Sequence, residues 1–525
     1  MFKRFTLSVG LLTLSIVAFA QNEDRGNFSA GLETNTTYYL KDEKTGAALP
    51  DGRMGSNNYL KLDYTWKGLY VGGQLEGYLP AINGYYPGYE YNFFRADVYA
   101  GYNANGWDVR LGSLYEQFGS GLLFRTYEDR TLGINNALRG VKVGYTFGDF
   151  LTVKAIYGQT RDVTQYIDGA MVSGADLSLS ISRAAKWENF DWTVEGSVLD
   201  KYEAFEVGMG EGAKPHTLGY SARMALGYAG FRLSGEYMSR RANPELANAY
   251  DSTRTEAIQV DFGYTGHGFG ALVSFRKLHN PFLQASRDIN GLTTYINYVP
   301  ALTQQHTYSL ATLNPYTSQS DEIGGQADLY YNFRRGTALG GRKGMKIHAN
   351  YSNYYGHPQD MMTGGWMDTY RLLYRDLTVD IERWFGSDFK MILFYSWQTY
   401  NHGVGDVNEF IRSHTVVADM TYKIDRKNSL RLELQHMYSK DDSKSWAAAL
   451  LEYSFAPRWS VSVQDMWNYG DTKIHYVNGS VSYSYSRVRA ALNFGRFKDG
   501  YQCSGGVCRY TPAYTGVNLS LVVSL

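Results

Sequence analysis

Residues 60–68 read Leu60-Lys61-Leu62-Asp63-Tyr64-Thr65-Trp66-Lys67-Gly68, four apolar or aromatic side chains at every second position followed by a two-residue turn. Successive side chains on an extended strand point to opposite faces, so this stretch predicts a strand with one apolar and one polar face. The same rhythm recurs along the chain. Val141, Val143, Tyr145 and Phe147 alternate with Lys142, Gly144 and Thr146. Ile258, Val260, Phe262 and Tyr264 alternate with Gln259, Asp261 and Gly263. Leu377, Val379 and Ile381 repeat it, as do Leu430, Leu432 and Leu434. Alternation alone fits a soluble β-sandwich equally well, because a sandwich strand also has one apolar face.

Connection lengths separate the two architectures. Short turns stand at Lys67-Gly68, Gly148-Asp149, Ala229-Gly230, Gly386-Ser387-Asp388 and Ala456-Pro457-Arg458. Longer polar connections come between them, around Asp42–Gly55, Pro80–Tyr91, Glu116–Leu138, Gln159–Gly174, Ser239–Arg254, His279–Asp321, Gly356–Arg375 and Thr399–Ser413. Outer-membrane barrels have short periplasmic turns and long surface loops, and a sandwich has no reason to keep that order. Together these features predict an all-β, antiparallel, up-and-down transmembrane barrel of about 24 strands, with roughly 22–26 as the range. An even count puts both chain ends on the periplasmic side and the last connection, Lys498 to Tyr510, on the cell surface.

The termini and the composition point the same way. Lys3 and Arg4 precede an apolar run from Phe5 to Phe19 that ends in Ala18-Phe19-Ala20, the small-x-small pattern of a cleaved signal peptide. Residues 1–20 are therefore expected to be removed, leaving 21–525 as a single outer-membrane barrel domain. Alternation begins by Phe28, so no N-terminal plug domain is expected. Val517, Leu519, Leu521, Val523 and Leu525 alternate to the last residue, as in chains inserted by the outer-membrane assembly machinery. That machinery and outer-membrane lipid are the expected partners. Aromatic residues make up 15% of the chain, an excess that suits rings placed at two membrane interfaces. Lys and Arg total 51 against 51 Asp and Glu, so a global basic field for nucleic acid is absent.

There is no His-Glu-x-x-His, no Cys-x-x-Cys and no Gly-x-Ser-x-Gly. Gly336–Lys343 has Arg342 where a phosphate-binding loop needs Lys, and it reads as a turn between two strands. The chain is accordingly read as a non-enzyme, with no catalytic residues, no cofactor and no metal ligands. Cys503 and Cys508 stand alone in a Gly-rich hairpin tip of an exported chain, where a small surface disulfide is expected.

Two connections stand out. Residues 115–140 contain Leu122, Leu123, Phe124, Leu132 and Ile134, too apolar for a loop in water. One reading folds the segment into the lumen, where Arg125, Glu128, Asp129, Arg130 and Arg139 form a constriction of mixed charge, as a third loop does in general porins. Arg95, Asp97, Asp108, Arg110, Lys142 and Lys154 on neighbouring strands would face it. The other reading makes the segment a plug that conducts nothing, and the sequence leaves both open. Residues 280–321 form an aromatic insert, including Tyr295, Tyr298 and Tyr308, too long for a plain loop and expected to be ordered. It would cover the mouth of the barrel or dock a protein partner.

Three stretches resemble a Bacteroidota outer-membrane protein family of unknown function: Tyr115–Gly140, Tyr298–Gln319, and Cys503–Arg509 with the following Thr511-Pro512-Ala513-Tyr514. The resemblance runs through nearly the whole mature chain. It implies an outer-membrane barrel and carries over no catalytic or ligand-binding residue. A porin-like channel or transporter for small solutes is the expected function. A plugged structural or assembly subunit is the alternative, and an outer-membrane enzyme a third.

Overall fold

The computed structural model describes residues 26–47, 49–85, 92–162, 165–204, 214–241, 254–287, 294–356, 370–403 and 407–525; the expected signal peptide lies outside them. Twenty-four strands form one antiparallel sheet. Each strand pairs with its sequence neighbour, and the sheet closes where Asn27–Leu40 pairs with Tyr514–Ser524, from Gly31↔Ser524 to Leu40↔Thr515. Closure removes both sheet edges, which is what lets a sheet cross lipid with every backbone group satisfied.

Of the eleven connections at one end of the barrel nine have only two to four residues, such as the one that links Met54–Trp66 to Leu69–Tyr78. Four of them place both central residues in the left-handed region: Lys67-Gly68, Asn105-Gly106, Ala229-Gly230 and His267-Gly268. Such turns match the twist of the strands they join. The other end carries the long connections. The expected loop at Gln159–Gly174 is a correction: strands Leu151–Asp162 and Gln165–Ser180 run through it, and only 163–164 lie between them. Polarity there marks a lumen-facing wall, since the inward Arg161 is ion-paired inside the barrel.

Outward residues are apolar and uncovered, with Val98 69%, Leu111 55% and Val463 51% exposed to what is the lipid surface. Around the short-turn end, exposed Trp66, Phe147, Tyr228, Phe231, Phe385 and Trp459 form an aromatic belt at one membrane interface. No helix among the described residues is long and apolar enough to cross a membrane. The fold and its apolar surface place the chain in an outer membrane. A barrel this wide encloses a lumen that must hold either water or protein.

Candidate functional site

Both connections singled out by the sequence fold into the lumen. In the first insert, residues 115–137, Phe118, Leu122, Leu123 and Phe124 are at most 1% exposed. They pack on Ile156, Val172, Leu199 and Met238 of the wall and on Leu283, Ile296 and Val299 of the second insert. Burying each such side chain contributes about 1.5–3 kcal/mol toward holding the segment inside the barrel. Hydrogen bonds join the inserts to each other: Arg125 N to Ile296 O at 2.9 Å, Tyr298 N to Gly121 O at 2.9 Å, and Asn297 Nδ2 to Leu122 O at 2.9 Å.

The second insert then crosses to the opposite wall. Tyr316 stacks on Tyr354 and Tyr374 at 5.1 and 5.0 Å. His306 Nε2 lies 2.5 Å from Asp376 Oδ2, and Leu310 N donates to Gln435 Oε1 at 3.0 Å. Leu310 packs with Met437, Trp446 and Tyr476, while Tyr308 and Ala311 pack with Phe394 and Val417. The disulfide between Cys503 and Cys508 closes the tip of a hairpin, Gly500–Ser504 with Val507–Thr511, that lies over this insert. Tyr298 donates its hydroxyl to Gly505 O and Ala301 N donates to Gly506 O. Gly506 has φ +82°, and a Cβ there would meet Pro300 Cβ at 2.7 Å, so glycine is what allows the hairpin to sit this close.

Buried ion pairs fasten the inserts to the wall. Arg161, 0% exposed, donates to Glu76 at 2.8 Å and Asp97 at 2.9 Å, and Asn135 of the first insert donates to the same Glu76 at 2.9 Å. Arg276 and Glu322, both fully buried, lie 2.7 Å apart. Arg276 also donates to Pro300 O and Ser318 Oγ, so one guanidinium holds both arms of the second insert. Each charge has its partner, as burial requires.

The five residues expected to form a constriction do not form one ring. Arg130 pairs with Glu33 at 2.8 Å and Glu128 at 3.2 Å, above the Tyr59 ring. Asp129 accepts from Leu132 N at 3.0 Å and shapes the turn beside them. Arg125 is held elsewhere, between the rings of Tyr298 and Tyr127 at 3.9 and 4.6 Å. Arg139 belongs to the wall strand Leu138–Phe147, is exposed, and stacks 3.9 Å over Tyr166. The neighbouring charges do meet the insert: Lys142 and Lys154 reach Glu116 at 2.8 and 3.0 Å, and Lys142 also pairs with Asp108 at 2.6 Å. Arg95 pairs with Asp97 at 3.2 Å, and Arg110 stacks on Tyr99. Among the described residues no group of three His, Cys, Asp or Glu is placed to hold a metal.

A model of the family of unknown function DUF6029 matches residues 1–525. The chain belongs to that family. No curated protein matches it in sequence. A chain of the E. coli P pilus tip assembly intermediate PapC-PapD-PapK-PapG aligns with a TM-score of 0.52 at 10% identity, over 97% of this DUF6029 chain and 62% of that one. The P pilus usher PapC translocation pore aligns at TM-score 0.45 and 10% identity, over 95% and 99% of the two chains. Pseudomonas aeruginosa OprD aligns at 0.36 and 12%, over 97% and 99%. At these identities the likeness is one of fold.

Sequence reading missed Arg161, Glu76, Arg276 and Glu322, four of the charges that fasten the DUF6029 inserts. A signal was present beside them. Ile156-Tyr157, Val198-Leu199, Tyr237-Met238 and Val416-Val417 put apolar groups on both faces of a strand, and in each pair the inward member packs under an insert.

Proposed function

We propose that this protein is an outer-membrane passage for small polar solutes, narrowed by its own two inserts to a bore far below that of the empty barrel. Support comes from the unequal covering of the lumen wall. On the strands Arg371–Phe385 and Phe389–Asn401 the inward Asp376, Thr378, Ser396 and Gln398 are buried under the second insert, whereas Asn35, Asn478, Asn493 and Asn518 beside the closing seam are half-exposed. Solute and water would pass along this more open, polar side of the lumen. The fixed charges of the first insert, Arg125 and Arg130 with Glu128 and Asp129, would then tune ion selectivity from the side of the path. We further propose export by a cleaved leader, residues 1–20, and no catalytic role.

Single-channel recording in a planar bilayer tests this reading. The wild type is expected to give small, reproducible conductance steps, and removal of residues 117–134 to raise them severalfold. Arg125→Ala with Arg130→Ala should shift selectivity toward cations. A silent membrane, with insertion confirmed independently, would overturn the passage. It would favour the plugged subunit, for which the apolar packing of both inserts speaks.

A further inference from the structure

Beneath the tip of the first insert lies a cavity of 420 Å³, lined by Ser120, Glu195, Arg223, Arg232, Glu236 and Asp261 among others. The tip is pressed close here: Gly119 has φ +57°, and a Cβ on it would meet Arg223 Cδ at 2.3 Å. Most charges in the cavity are already satisfied. Arg223 holds Asp176 at 2.5 Å and Glu195 at 2.8 Å. Glu195 also accepts from Ser178, and Asp261 accepts from Ser274 and Gln259.

Two groups are left over, and they differ in sign. Glu236 is 8% exposed; its Oε2 accepts from Ser120 N at 3.2 Å, but its buried Oε1 has no partner. A buried carboxylate oxygen without a donor is costly and rare, and it marks a place where a donor belongs. The guanidinium of Arg232 is exposed to the lumen and has no hydrogen-bond or ion-pair partner among the described residues. Both residues stand on the strand Phe231–Arg240, four positions apart on its inward face. That spacing is about 13 Å along the strand.

We propose that this cavity is a binding subsite for short zwitterionic peptides, with the peptide ammonium on Glu236 Oε1 and the peptide carboxylate on Arg232. A peptide of two or three extended residues is about 7–10 Å long, and the two side chains close the remaining gap. The cavity volume lies in the range of small-molecule sites, about 300–1,000 Å³. A neutral sugar of similar size leaves both charges unpaired, which is the repulsive half of the specificity. The proposal rests on the passage reading and names its substrate class.

The test uses the full-length mature protein in proteoliposomes, with trialanine and sucrose as competing solutes. Wild type should take up trialanine at least about tenfold faster than sucrose, the ratio expected from losing a charged hydrogen bond. Glu236→Gln and Arg232→Gln should each bring the ratio near one. Equal uptake in the wild type, or a preference that survives both substitutions, overturns the subsite and leaves the passage standing. If neither solute enters, the passage reading fails, and calorimetry on the detergent-solubilised protein decides the subsite. Saturable trialanine binding, abolished by Glu236→Gln and by N-acetyl and C-amide caps on the peptide, sustains it. Absence of binding overturns it.

Discussion

On the wall beneath the second insert, Asp376, Thr378 and Ser396 are 0% exposed and Gln398 is 2% exposed; across the lumen, beside the closing seam, Asn478, Asn493, Asn518 and Asn35 stay half-exposed. The two walls obey the same alternation and the same hydrogen-bonding ladder, yet their chemistry differs. The covered wall carries ion pairs, rings and apolar patches that match the inserts. The seam wall carries amides and hydroxyls, some bonded to one another: Asn493 Nδ2 donates to Asn518 Oδ1 at 3.3 Å, and Asn518 Nδ2 donates to Thr37 Oγ1 at 2.9 Å. In a wide barrel, alternation fixes only inside and outside. What fills the inside shows in how the inward polar groups are used: beneath the insert they are paired inside packed protein, as burial requires, and beside the seam part of them is left to the lumen.

The largest expected effect breaks the wall that the first insert covers. Arg161→Ala leaves Glu76, 1% exposed, and Asp97, 7% exposed, without their shared cation. Removing one partner from a buried pair costs about 3–5 kcal/mol. Asn135 then loses its fixed acceptor, and the first insert should loosen from the wall. The urea midpoint should fall, limited proteolysis should cut within residues 115–137, and single-channel current should become larger and noisier. An unchanged midpoint with an uncut insert would show that the ion pair does not fasten it.

An intermediate effect sharpens the contrast from the other side. Asn518→Asp adds a charge to the seam wall at a half-exposed position, so its stability cost should stay near the ~1 kcal/mol of a single hydrogen bond. Its effect on permeation should be the larger one. In a potassium chloride gradient the reversal potential should move toward cation selectivity. If it does not move, current does not run along the seam, and the comparison of the two walls loses its functional meaning.

How much of this was legible in sequence follows from the range of the interactions. Strand existence, turn positions and closure depend on neighbours, and runs such as Leu60–Gly68 carry that information locally. The sequence misleads at Gln159–Gly174, where a polar run reads as a loop and the chain is strand. There polarity is compensated by partners far away in sequence, Arg161 meeting Glu76 85 residues earlier. His306 meets Asp376 across 70 residues, and Asn297 meets Leu122 across 175. No periodicity reports such pairs, so the composition of the first insert suggested that it folds inward, but not where each charge would land. Arg125 and Arg139, grouped by sequence with Arg130, are parted because one is caught between tyrosines and the other belongs to the wall.

The smallest effect concerns the outer rim of the seam. Asp42, in the connection 41–53, lies 2.6 Å from Arg496 Nε and accepts also from Thr515 Oγ1 at 2.7 Å and Lys44 N at 3.0 Å. It thus ties the end of the first strand to the last two. The Arg496 hydrogen bond, with the others behind it, holds the Asp42 carboxyl down at about 2. An unfolded chain would bind that proton near pH 3.9. The native state therefore holds the ionised form longer, and the contact's contribution is complete above about pH 4 and lost as the pH falls through about 2. Asp42→Asn should lower the unfolding midpoint slightly at pH 7, and the gap to the wild type should close as unfolding is repeated from pH 4 down to pH 2. A gap of constant size over that interval would mean that the seam is held at this rim by shape and backbone pairing, with the charge contributing nothing.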